Sequence, residues 1–107
     1  MIELGLLRST TLEFLSLTDE LLACAQQGRW DEFFGVQDAR DQQLALLLTH
    51  AGDTLLSLLP DLRSELQQAL DNNLRIDGLV RARRDELGMH LSSVQHQRRL
   101  NSTYRSG

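Results

Sequence analysis

The chain has 107 residues, 41% of them hydrophobic, with a single proline and a formal net charge of −4. One domain is the prior at this length. The lone Cys24 excludes an internal disulfide and fits a reducing compartment, and no apolar run approaches the roughly 20 residues that span a bilayer.

The charge is unevenly spread. Residues 1–74 carry 4 arginines and 12 acids, whereas residues 75–107 carry 7 arginines and 3 acids. The acidic first part argues against a general nucleic-acid binder, and the basic last part suits an acidic protein surface. The start, "MIELGLLRST", has Glu3 ahead of its apolar residues and no early basic cluster, unlike a signal peptide. The expectation is a cytosolic protein without membrane insertion.

Helix 1 is expected over about 3–27. A hydroxyl at Ser9, Thr10 or Thr11 offers an N-cap, with an earlier start near Ile2 as the alternative. Leu4, Leu7, Phe14, Leu15, Leu21, Leu22 and Ala25 form a broad stripe at helical spacing. Gly28 is placed to end the helix as a left-handed cap. Helix 2 follows over about 30–51, with Asp31 and Glu32 in its first turn, where the dipole favours negative charge. Trp30, Phe33 and Phe34 are its expected core anchors, and Leu44, Leu47, Leu48 and Ala51 continue the apolar side. Its middle, Gln37, Asp38, Arg40 and Asp41, is unusually polar. The tight glycine turn makes the two helices an antiparallel hairpin.

A linker over 52–60 holds Leu55, Leu56, Leu58 and Leu59, read as a short turn capping the bundle end. Pro60 suits a helix's first turn. Helix 3 is expected over about 61–100, with Gly78 and Gly88 as candidate kink points and a short tail over 101–107. The fold class is therefore all-α: a small antiparallel bundle in which a helical hairpin packs on a long third helix, in one domain over 1–107. Two helices of about 30 Å cannot cover one of about 60 Å. Part of the helix 3 stripe thus lacks a partner from this chain and marks a groove for an amphipathic helix. Leu66, Leu70, Leu74, Leu87, Leu91 and Val94 are its expected contributors.

Nothing in the sequence supports catalysis. His50, His90 and His96 read as solvated helix-surface residues, with no metal-ligand spacing among them, and Cys24 reads as a small core residue. There is no Gly-rich phosphate loop, so no cofactor is expected. Arg83-Arg84-Asp85-Glu86 reads as solvated helical charge pairs. "QHQRR" near the end of helix 3 reads as arginines at a helix C-terminus rather than a DNA contact.

Two stretches reach further. "LLACAQQGRWDEF" resembles the helix–Gly-x-Trp-Asp–helix junction of FliT-type flagellar export chaperones. "LDNNLRIDGLVRARRDEL" followed by "QRRLNSTY" is similar to that family's Leu-Asp-Asn, Asp-Glu-Leu and Leu-Asn-x-x-Tyr series, in the same order and spacing. The resemblance implies a cytosolic, non-enzymatic chaperone of flagellar type III export. Such a chaperone binds the C-terminal region of the filament cap protein FliD, prevents its premature assembly and delivers it to the export gate protein FlhA. It also implies contacts with the export ATPase complex and, in enteric members, with a flagellar transcription regulator. The export-gate contact falls on Leu100, Asn101 and Tyr104. Tyr104 has a second reading, folded back over the apolar stripe. The chain departs from the family pattern at Ser92-Ser93, where many relatives carry Gly-Gln. Only three residues follow Tyr104, so the enteric tail control is not expected. Two other classes remain open: a binding module acting on a transcription regulator, and a structural helical oligomer. A homodimer is compatible with each.

Overall fold

The structure, a computed structural model, describes the backbone of residues 3–106 and the side chains of residues 3–88. Among the described residues there is no strand. Helix α1 spans Leu4–Gln27, α2 Trp30–His50, α3 Leu55–Leu58 and α4 Arg63–Ser106, with 3-10 turns at Gly52–Thr54 and Pro60–Leu62. The chain divides into two compact units, Met1–Asp77 and Gly78–Gly107.

The start of α1 is not capped by a hydroxyl. Glu3 precedes the helix without a side-chain cap bond, and Thr10 and Thr11 lie inside it. Their buried hydroxyls donate to the carbonyls of Leu6 and Leu7, each at 2.8 Å, and Thr18 does the same to Phe14 at 2.9 Å. A threonine that bonds back one turn satisfies its own oxygen and can sit on a buried helix face. Thr11 and Thr18 accordingly have no exposed surface.

Gly28 ends α1 at φ 71°, ψ 20°. Its N–H reaches the Ala25 carbonyl and the next N–H, from Arg29, reaches Cys24 at 2.9 Å. This is the paired closure that a left-handed residue allows, and it reverses the chain in two residues so that α2 packs along α1. Gly35, in contrast, lies within α2, and a methyl group there would meet no described atom within 4 Å. Gly35→Ala should therefore raise stability by about 1 kcal/mol and Gly28→Ala lower it by a similar amount. Urea melts of both variants check the opposite signs.

The core of the first unit is built where α1, α2 and the start of α4 meet. Leu7 and Phe14 pack with Leu47, with Leu59 and Leu62 from the connection, and with Ala69, flanked by Leu15, Leu44, Leu55 and Leu66. The connection over 52–60 is thus part of the core rather than a cap over its end, and Leu59 is fully buried. Pro60 opens the 3-10 turn that leads into α4.

Polar contacts bind the same helices together. The polar middle of α2 has a structural use: Arg40, whose side chain is only 13% exposed, pairs with Asp41 and donates to the Asn73 side-chain carbonyl at 2.5 Å. One residue earlier, the buried Asn72 donates to Asp19 on α1 at 3.2 Å. Adjacent residues on α4 therefore reach opposite partners and fix its register against the hairpin. No described buried side-chain polar atom lacks a partner.

Arg8 on α1 grips Asp61 through both carboxylate oxygens, at 2.5 and 3.1 Å. That hydrogen bond, more than the charge itself, holds the Asp61 carboxyl below its ordinary value of 3.8. A lowered carboxylate stabilises the fold above the unfolded value and loses that contribution as pH falls through the folded one. Asp61→Asn should therefore destabilise at neutral pH, and its difference from wild type should shrink below about pH 3.8. Denaturation midpoints across that range check the sign.

Helix α4 runs through Gly78 and Gly88 without interruption and continues to Ser106. The expected end near 100 was too early. The Asn, Ser and Thr of 101–103 are only weak helix breakers, and no proline or glycine lies between Gly88 and Gly107 to stop the helix. In the second unit Arg83 and Glu86 pair at 3.5 Å, one turn apart, as exposed helical charges.

Candidate functional site

Phe14, Leu44, Leu47, Leu48, Leu55, Leu56, Leu66, Ala69 and Leu70 line a groove of about 350 Å³. Gly52, Asp53 and Asn73 complete the lining. The volume is in the range of clefts that hold ligands, roughly 300–1,000 Å³. One wall is the C-terminal half of α2, the second is α4, and the end is closed by the Gly52–Thr54 turn and α3. The groove lies wholly within the first unit, and its rim leaves large leucines in solvent: Leu48 at 63%, Leu70 at 60% and Leu56 at 46% exposed.

The helix period explains which α4 leucines reach it. Each step of four residues turns about 40° past a full circle. Leu66 is half-buried against the core, Leu70 stands at the groove's lip, and Leu74, turned further still, is 72% exposed and does not line this groove. Of the six residues expected to form a groove, the structure thus brings Leu66 and Leu70 together. Leu87, in the second unit, is 46% exposed. The side chains of Leu91 and Val94, and of Leu100, Asn101 and Tyr104, lie outside the described residues. Sequence reasoning missed the opposite wall: Leu44, Leu47 and Leu48 read as the apolar side of helix 2 and Leu55 and Leu56 as a turn capping the bundle end, and neither reading brings them together as one lining.

The aromatic cluster divides. Phe33 is buried at 2%, with Trp30 tilted against it at 5.2 Å and Phe34 edge-on at 5.7 Å. Phe34 is 64% exposed, so it is not a core anchor. Neighbours on a helix point about 100° apart, and only one of two adjacent phenylalanines can face α1. Among the described residues no cluster of His, Cys, Asp and Glu is placed to hold a metal ion.

A helical hairpin closed by Gly28 and locked by Asn72-Asn73 positions this groove. The sequence profile described as "Flagellar protein FliT" matches residues 8–106 of the chain. The chain belongs to the FliT family of flagellar proteins. It is 32% identical over 92 residues to Flagellar protein FliT of Serratia proteamaculans, covering 83% of this chain and 75% of that protein. It is 30% identical over 94 residues to Flagellar protein FliT of Pectobacterium carotovorum, covering 86% and 75%. The counterpart from Photorhabdus laumondii is 30% identical over 101 residues, covering 92% and 80%. No solved structure matches. The FliT match spans both the groove-forming leucines and the α4 series through Tyr104.

Proposed function

We propose that this FliT-family chain is a cytosolic chaperone of flagellar export, which binds the C-terminal region of the filament cap protein FliD, keeps it unassembled and hands it to the export gate FlhA. The observation that carries the proposal is the open apolar groove between α2 and α4, with Leu48, Leu56 and Leu70 unburied at its rim in a member of this family. A surface of that kind is costly to leave in water and suits an amphipathic segment from a partner. A segment that orders only on binding spends part of its contact energy on ordering, which keeps the complex releasable. Such a carrier works by binding, with no step that needs a cofactor or a catalytic group. No described helix is long and apolar enough to cross a membrane, which accords with work on the cytosolic side.

In this proposal Leu100, Asn101 and Tyr104 form the contact with the export gate, with Tyr104 as an amphipathic handle. Groove and handle are then separable. A pull-down from flagellated cells tests this: wild type should recover cap protein and export gate, and Tyr104→Ala should keep the cap protein and lose the gate. Recovery of neither by wild type would refute the proposal.

A further inference from the structure

The groove has a chemical bias beyond its apolar lining. Asp53 is the one charged residue of that lining, it is exposed, and it has no ion-pair partner among the described residues. Asn73 is the other polar side chain there. A guanidinium only donates hydrogen bonds, so Arg40 occupies the Asn73 carbonyl and leaves the amide N–H groups uncommitted. The first 74 residues carry the same sign overall. Residues 1–74 hold 12 acids and 4 arginines, and three of those arginines are already taken: Arg8 by Asp61, Arg29 by Glu32 and Arg40 by Asp41. Arg63, the fourth, lines a separate polar hollow with Pro60 and Asp71.

We infer that the groove selects an amphipathic helix with basic flanks, its apolar stripe seated on Leu48, Leu56 and Leu70 and a lysine or arginine beside that stripe paired with Asp53. This rests on the groove reading under Proposed function and adds the partner's charge to it. A carboxylate at the groove also favours encounter with a basic segment over an acidic one.

Three labelled peptides test it. Each has the same leucine stripe at i, i+3, i+4 and i+7 spacing over about four turns, flanked by lysine, glutamine or glutamate, and is titrated into the full chain by fluorescence anisotropy. At low salt the lysine peptide should bind about 2- to 5-fold tighter than the glutamine peptide, the glutamate peptide should bind weaker than both, and high salt should narrow the spread. Asp53→Lys should remove most of the lysine peptide's advantage over the glutamine peptide. Equal binding of all three would overturn the charge preference and leave the groove standing. Binding of none would overturn the groove reading with it. A lysine advantage that survives Asp53→Lys would remove Asp53 as the anchor. A chain that light scattering shows as a dimer, closed to the lysine peptide until Asp53→Lys splits it, would make a second copy the occupant and overturn the external partner.

Discussion

Phe33→Ala should destabilise the protein by about 3–5 kcal/mol, while Phe34→Ala should cost less than about 1 kcal/mol. The two residues are adjacent and identical, so composition cannot separate them. Phe33 is 2% exposed and holds Trp30 against the hairpin junction; Phe34 is 64% exposed. Truncating Phe33 removes a buried ring and leaves a cavity in its place. The corresponding fall in melting temperature is about 15–30 °C for a unit of this size. Thermal melts followed by circular dichroism check the pair; equal losses would mean that Phe34, too, is packed.

Leu70→Glu should do the reverse, sparing the fold and abolishing the groove's use. At 60% exposure the side chain contributes little to folding, and a change there should move stability by no more than about 0.5 kcal/mol. A carboxylate at the lip would have to be desolvated beneath an apolar occupant, which typically weakens binding by about 10- to 100-fold. Leu74→Glu is the matched control, since Leu74 lies one turn on and lines no part of the groove. Titration of the cap protein's C-terminal fragment into the three proteins should give tight binding by wild type and Leu74→Glu, and weak binding by Leu70→Glu.

These expectations show where the sequence was legible. Gly28 before "RWDEFF" announced the hairpin because a left-handed cap has few substitutes. The period of the α4 leucines marks a stripe, and the helix lengths leave part of it uncovered, but periodicity fixes only which residues share a face, not which neighbour that face meets. Leu44 and Leu48, on the apolar side of α2, and Leu55 and Leu56, read as a capping turn, therefore show themselves as one groove lining only once the fold places the connection beside α2. Arg40 and Asn73 are 33 positions apart, and nothing local in either segment reveals their bond. Thr10 and Thr11 misled in the other direction. A hydroxyl near a helix start suggests a cap, but the same group can bond back one turn and be buried. Tyr104 drew attention as a tail residue, whereas the backbone that carries it is helical to Ser106.

The central claim is that the α2–α4 groove, and no other exposed apolar surface, receives the cap protein. A photo-crosslinking amino acid placed at Leu70, at Leu48 or at Phe34 in the full chain, irradiated with purified cap protein and mapped by mass spectrometry, tests it directly. Adducts from positions 70 and 48 to the cap protein's C-terminal region, with none from position 34, are the predicted result. Adducts from position 34 alone would place the binding surface elsewhere and contradict the account.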